Sequence, residues 1–485
     1  MEILTIIVLG FMVSFYLPDE IPGVHFDEAR HANTAKNIIN GTENPLIEQG
    51  NYAGNYAYYF LVLEFLISNK YDVFSLRFLI VVANIIAAIF LYFAIKEYSK
   101  RAAYFSALIL SALPFHIIFS RIAWPEFTLI PLFFSISLFF FVRYLKRKEL
   151  KYLCLFFFFF FVGVGNKLIF LVYLPSFFLY LLIHDKSIIN VRNFIILILF
   201  SIIGTFPLLL HNLYNKMPVI KDIKHRSVSE IIEAFPNFYK SLTGVLDGSI
   251  AFLRIGGKEN SFFAIVNPII FLFSILFLLK SRHKLFTFLF FSYLLFAPFF
   301  YAFTANYLYA PRYFITFLPL AAIVIGFFFD ELYRGLGKNI TILTFLLVLI
   351  INFSSIVYNF TLLYNIHVDY GSFRVGSHIE AKDHFIPTFK DIAKFISNYS
   401  EIYFYEHFTG DPRSVLEFLT NKPVNKFQLE DFKGKIGENS IYFAIDPPIN
   451  NESLQMIEKF GLSYKTVEFK NRLNQTVIKM YVLGD

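Results

Sequence analysis

Up to about residue 360 the chain alternates long apolar runs with short polar connections, and after about residue 376 that rhythm stops. The runs fall at about 1–17, 73–95, 102–119, 125–144, 151–166, 168–184, 193–211, 261–280, 285–303, 311–329 and 340–358. Each approaches the ~20 residues that an α-helix needs to cross the hydrocarbon of a bilayer. The pattern therefore predicts an α-helical polytopic membrane protein with about eleven transmembrane helices. Beyond residue 376 the period shortens: Glu401–Tyr405, Ser440–Ile445, Ser463–Phe469 and Thr476–Leu483 alternate as strands, while 387–398, 411–420 and 451–460 read as helices. The expected organisation is a membrane domain over 1–376, with a first outer loop at 18–72, and a small α/β domain over 377–485.

Composition strengthens the membrane assignment. The chain is 56% hydrophobic and 20% aromatic, well above soluble usage. The low-complexity Phe156 to Phe161 run needs no special function in lipid. A lone cysteine, Cys154, excludes a disulfide framework and a thiolate metal site. The net charge of +7 would fit a nucleic-acid partner only if it formed a patch, and it does not. Lys96, Lys100 and Arg101 follow the second run, Arg143, Lys146, Arg147, Lys148 and Lys151 the fourth, Lys186 and Arg192 the sixth. Lys280, Arg282 and Lys284 follow the eighth, and Arg334 and Lys338 the tenth. The alternate short loops carry only Arg121, Lys167 and Arg312. By the positive-inside rule the cation-rich loops are cytoplasmic, which places the first loop, the 212–260 loop and the C-terminal domain outside. Met1-Glu2 supplies no positive n-region and no small-x-small site precedes Pro18, so the first run reads as an anchor helix rather than a signal peptide.

On the outer side the ionisable residues are few and fall at successive turns. His25-Phe26-Asp27-Glu28-Ala29-Arg30-His31-Ala32-Asn33-Thr34-Ala35-Lys36 places Ala29, Ala32 and Ala35 three apart, as in a helix lying close against a neighbour, with two carboxylates at its start. Asp27 has an ordinary reading there, a cap paired with Arg30 or His31 one turn on. Arg121, Trp124 and Glu126 cluster in the next outer turn, Lys167 follows Gly163-Val164-Gly165-Asn166, and Arg312-Tyr313 opens the tenth run. Each has a topological explanation: Trp belongs at interfaces, Pro125 at a first helical turn, Glu126 beside it. Gathered in one cleft, the same acids and cations suit transfer from a sugar phosphate. A carboxylate takes the proton of an acceptor hydroxyl and cations stabilise the departing phosphate.

These segments resemble the GT-C membrane glycosyltransferases, in particular the branch of protein O-mannosyltransferases and lipid A aminoarabinose transferases. The similarity runs to about residue 330 and rests on Asp27-Glu28-Ala29-Arg30-His31-Ala32, Ser120-Arg121 with Glu126, Asn166-Lys167, and Arg312-Tyr313-Phe314 before Pro319. The resemblance implies Asp27 as catalytic base, with Glu28 and Glu126 as further catalytic carboxylates. It also implies Arg121, Lys167, Arg312, Tyr313, Tyr58 and Tyr59 as the side chains that hold the donor phosphate. Many relatives carry a Lys-Pro-Pro segment after the first loop; here the stretch reads Gly54-Asn55-Tyr56-Ala57-Tyr58-Tyr59, so that lysine's role passes to the other cations or to the tyrosine hydroxyls.

The expected activity is transfer of a sugar from a dolichyl- or undecaprenyl-phosphate donor to a protein, lipid or glycan hydroxyl on the extracytoplasmic face, with inversion. The expected partners are the bilayer, the lipid-linked donor and that acceptor. The residues name no cofactor; Asp27 with Glu126 could hold a divalent cation, but two oxygen ligands identify none. A transporter or flippase of lipid-linked sugars is the alternative. It would show ionisable groups in mid-membrane, where His116 and Asn84 are the main polar residues. Gly256-Gly257-Lys258-Glu259 lacks the flanking residues of a phosphate-binding loop. With Trp124 as the only tryptophan, the Trp-Trp-Asp motif of oligosaccharyltransferases is excluded.

Overall fold

Continuous apolar runs fold as helices because lipid leaves every backbone N–H and C=O to be satisfied within the segment. In the computed structural model, six helices among the described residues are long and apolar enough to cross a membrane: Val73–Lys96, Pro125–Arg147, Val191–Tyr214, Lys284–Ala302, Tyr313–Leu336 and Lys338–Tyr358. Shorter apolar helices occur at Glu2–Ser14, Tyr56–Ser68, Leu150–Asn166, Leu168–His184 and Val266–Lys280. The protein is a multi-pass membrane protein. Described are residues 1–15, 24, 26–44, 56–185, 190–214, 261–280, 283–304, 311–364, 386–405, 412–432, 439–446, 452–470 and 476–484, with isolated positions between 229 and 246.

Four helices matter first: α1 (Glu2–Ser14), α2 (Phe26–Ile39), α3 (Tyr56–Ser68) and α4 (Val73–Lys96). The stripe of Ala29, Ala32 and Ala35 is fully buried, as its spacing predicts. Helix α3 is new, because it lies in what the sequence pattern assigns to the first outer loop. Its apolar run is too short to span and is interrupted by Glu64, whose buried carboxylate accepts the Leu79 N–H of α4 at 2.6 Å. The predicted span at 102–119 is broken into α5 (Lys100–Leu110) and α6 (Pro114–Phe119), since Pro114 cannot continue a helix and holds Leu113 extended. Then follow α7 (Pro125–Thr128), α8 (Ile130–Arg147), α9 (Leu150–Asn166), α10 (Leu174–His184), α11 (Val191–Tyr214), α12 (Ser261–Lys280), α13 (Lys284–Thr304), α14 (Leu318–Leu336) and α15 (Lys338–Tyr364).

Close helix crossings use glycine. A Cβ on Gly326 of α14 would lie 1.9 Å from Ser106 Oγ of α5, and one on Gly204 of α11 would lie 2.6 Å from the Phe158 carbonyl of α9. Small residues let backbones approach, which is how packing replaces the hydrophobic effect between helices in lipid. His116 Nε2 meets Asn84 Oδ1 at 3.1 Å, and the Asn84 amide donates to the Ile80 carbonyl at 2.8 Å. The connections after the even-numbered predicted spans gather at one end of the bundle. There Arg143 bonds Glu97 at 3.1 Å, Lys148 bonds Asp185 at 2.7 Å, and Arg101 bonds Asp330 at 2.9 Å.

The C-terminal region is a five-stranded sheet of order β2-β1-β3-β5-β4, with helices α16 (Ile386–Ile396), α17 (Pro412–Thr420) and α18 (Glu452–Lys459). Strands β1 (Glu401–Tyr405), β2 (Val424–Lys426) and β3 (Ser440–Asp446) are parallel; β5 (Thr476–Leu483) runs antiparallel to β3 and to β4 (Tyr464–Lys470). Alternation sets the buried face: Ile402, Phe404, Ile441, Phe443 and Ile445 join Ile392, Ile396 and Leu416 in the core. Helix α17 lies against α2, where the Asn33 side-chain amide donates to the Ser414 carbonyl at 3.1 Å and Lys36 bonds Asn421.

Candidate active site at the start of α2

The first turn of α2 brings two neighbouring carboxylates into different surroundings. Asp27 pairs with Arg30 one turn on, Nη2 to Oδ1 at 2.6 Å, so the ordinary ion-pair expectation is met. Glu28 turns into the bundle, where Arg77 of α4 grips it through Nε and Nη2, both at 2.7 Å, and the Ala123 N–H adds a third bond at 2.7 Å. Glu28 and Arg77 are fully buried. This bidentate pair ties α2 to α4 and to the 120–124 turn. A carboxylate so committed holds position and is badly placed to take a proton.

One turn further on, buried His31 sits edge-on to Tyr58 of α3, with ring centroids 5.4 Å apart, and its Nε2 lies 3.6 Å from Glu126 Oε2. Glu126 Oε1 accepts from Lys167 Nζ at 2.9 Å. Asn166 fixes this arrangement by donating its amide to the Pro125 and Glu126 carbonyls, each at 3.1 Å. Lys167 Nζ also stands 4.8 Å from the centre of the Phe127 ring, which is itself edge-on to Tyr313 at 5.3 Å. Arg121, two residues before Ala123, is fully buried. Burial holds the His31 pKa below its ordinary value, so the ring is neutral at physiological pH.

The structure thus brings Asp27, Glu28, Tyr58, Glu126, Lys167 and Tyr313 to one end of the bundle. Tyr59 packs against Tyr56 at 6.1 Å, and Tyr56 Oη donates to the Gly204 carbonyl at 3.0 Å. The side chain of Arg312 lies outside the described residues. Among the described residues no group of three or more His, Cys, Asp or Glu side chains could hold a metal ion. Asp27 and Glu126, the pair considered for a divalent cation, have Arg30 and Lys167 as cationic partners instead. The residue missed from the sequence is Arg77. Its signal was a guanidinium inside an apolar run, a location that in membranes marks a paired or functional group.

The model for dolichyl-phosphate-mannose-protein mannosyltransferases matches residues 55–211. No curated protein sequence matches the chain. Among solved structures, ArnT from Cupriavidus metallidurans bound to undecaprenyl phosphate superposes with a TM-score of 0.63 at 12% identity, over 99% of this chain and 97% of that one. The same protein in the apo state gives 0.63 at 13% over the same shares. The Archaeoglobus fulgidus oligosaccharyltransferase tethered to an acceptor peptide gives 0.53 at 10%, over 98% of this chain and 73% of that one. The chain has the GT-C fold. Within the GT-C fold, the cluster described above is built from the connections at one end of the bundle, where α2 meets α4, α7 and the α9 terminus.

Proposed function

We propose that this protein is a glycosyltransferase that takes a sugar from a polyprenyl-phosphate donor and transfers it to a hydroxyl acceptor. The observation that carries the reading is the meeting of four distant segments through Glu28 with Arg77 and Ala123, His31 with Glu126, and Glu126 with Lys167. The matched mannosyltransferase model and the lipid phosphate bound by ArnT support the donor class. Asp27 is the base. It accepts the acceptor's hydroxyl proton as that oxygen attacks the anomeric carbon from the face opposite the phosphate; the carbon–oxygen bond to phosphate breaks, and its electron pair leaves with the lipid phosphate. One displacement of this kind inverts the anomeric centre. Lys167 carries the phosphate's charge, exchanging Glu126 for the donor, with Arg121, Arg312, Tyr313, Tyr58 and Tyr59 as further donors of charge or hydrogen bonds. Glu28 is a positioning residue and Glu126 the partner that keeps Lys167 in place.

In this reading residues 1–376 form the catalytic membrane domain and 377–485 a separate α/β domain, both site and domain facing outside, as the cation distribution supports. The contact between His116 Nε2 and Asn84 Oδ1, with the Asn84 amide donating to the Ile80 carbonyl, favours an enzyme over a transporter or flippase, since it gives Asn84 and one nitrogen of His116 packing partners in the span interiors. The test is transfer of radiolabelled sugar from polyprenyl-phosphate donors by purified protein in lipid. Asp27→Asn keeps the size of the side chain and an oxygen for Arg30 but accepts no proton, so transfer should collapse while thermal unfolding moves only by the small contribution of a part-exposed ion pair. Near wild-type transfer would remove Asp27 from the role and shift it to Glu126.

A further inference from the structure

His31 has a ring nitrogen that the arrangement above does not use. The ring is 1% exposed, and Nδ1 has no hydrogen-bond partner among the described residues. A buried polar atom without a hydrogen-bond partner is costly to keep out of water. Its other nitrogen, Nε2, faces Glu126 Oε2 at 3.6 Å, longer than a hydrogen bond, and the carboxylate's negative field favours the tautomer with its proton on Nε2, which leaves a lone pair on Nδ1. The charged groups whose fields reach the ring are Glu126, Asp27, Arg30 and Lys167. His31 lies one turn beyond Asp27 on α2 and beside the Glu126–Lys167 pair.

We propose that Nδ1 of His31 accepts a hydrogen bond from a hydroxyl of the donor sugar, and that His31 is a specificity-determining residue. The inference rests on the proposed function. With the acceptor's proton going to Asp27 and the phosphate to Lys167, the group between them meets the sugar itself. No bond forms or breaks at His31; a neutral acceptor in a dry site discriminates hydroxyl positions, because a sugar lacking that hydroxyl leaves the lone pair buried and unmade. Tyr58, edge-on at 5.4 Å, fixes the ring plane.

Two substitutions separate the ring's two nitrogens. His31→Asn keeps an acceptor near Nδ1 and gives up the reach to Glu126; His31→Gln keeps a donor near Nε2 and gives up the Nδ1 acceptor. Binding of dolichyl phosphate mannose and of bare dolichyl phosphate is measured for both variants and for the wild-type protein in lipid nanodiscs. Wild type should prefer the sugar-bearing lipid, His31→Gln should lose roughly tenfold of that preference, and His31→Asn should retain most of it. An equal loss for both lipids in His31→Gln means the ring is merely structural and overturns the proposal. Wild type binding both lipids equally overturns it too, with the lipid-phosphate reading intact. Wild type binding neither lipid removes the proposed function and this inference together.

Discussion

The two ends of the helix bundle both carry rows of ion pairs, and they are built differently. At the end formed by the cation-rich connections, an acid is paired with a cation that reaches outward. Lys100, Arg101 and Lys148 have side chains 64%, 46% and 52% exposed, against partners Glu2, Asp330 and Asp185. At the end formed around α2 two pairs are withdrawn on both sides, Glu28 and Arg77 at 0% exposed and Glu126 and Lys167 at 8% and 11%, while only Arg30 of the Asp27 pair, at 37%, reaches outward. Exposed pairs contribute little to stability because water screens them and their long side chains lose freedom. Doubly buried pairs lose solvation on both sides, and their attraction compensates only when every lone pair and proton is matched. Glu28 meets that condition with three hydrogen bonds. The contrast leaves the first end solvated and gives the second end side chains held in fixed places by their partners.

The comparison breaks most visibly at Asp27. Asp27→Asn should lower transfer by ~10² to 10⁴, and a comparable loss from any charge at the exposed end would erase the distinction. Next comes the buried pair: Arg77→Leu leaves Glu28 uncompensated in the bundle and should destabilise the protein by about 3–5 kcal/mol, read by thermal unfolding in detergent. Lys167→Gln, which keeps a hydrogen-bond donor toward Glu126, should weaken use of the donor by roughly 10- to 100-fold and destabilise the protein less than Arg77→Leu does; unchanged kinetics would detach Lys167 from the phosphate. The smallest effect is expected for Lys148→Ala, about 0–1 kcal/mol and diminishing with salt.

A labelling experiment places the two ends on membrane sides. The lone cysteine is removed as Cys154→Ala, and single cysteines are introduced at half-buried Glu149 and exposed Asn398. Impermeant reagent should reach Glu149→Cys from the cytoplasm and Asn398→Cys from outside. Reaction of both from one side would leave the fold untouched and reverse the argument from charge.

Much of this was legible from residue order, because bilayer and sheet impose simple periods. The apolar runs gave the helices, and period-two alternation gave four of the five strands, Glu401–Tyr405 and Thr476–Leu483 with the bounds they have in the structure. β2 escaped notice because Val-Asn-Lys is too short to show alternation. Helix α3 was hidden by its length, and the break in the 102–119 run lay in Pro114, a local signal outweighed by the surrounding hydropathy.

The sequence by itself determined which side chains were available at one end of the bundle, since ionisable groups are costly within hydrocarbon and collect at the turns. It also determined the class of architecture. Tertiary structure decided how they divide the work. Adjacent positions on a helix point about 100° apart, so Asp27 meets Arg30 while Glu28 meets Arg77, 49 residues away. That partner lies inside an apolar run, where its sequence neighbours say nothing of the carboxylate it faces. Pairing across such distances depends on helix crossings fixed by close contacts such as Gly326 on Ser106, and packing of that kind is a property of the assembled bundle rather than of any one segment.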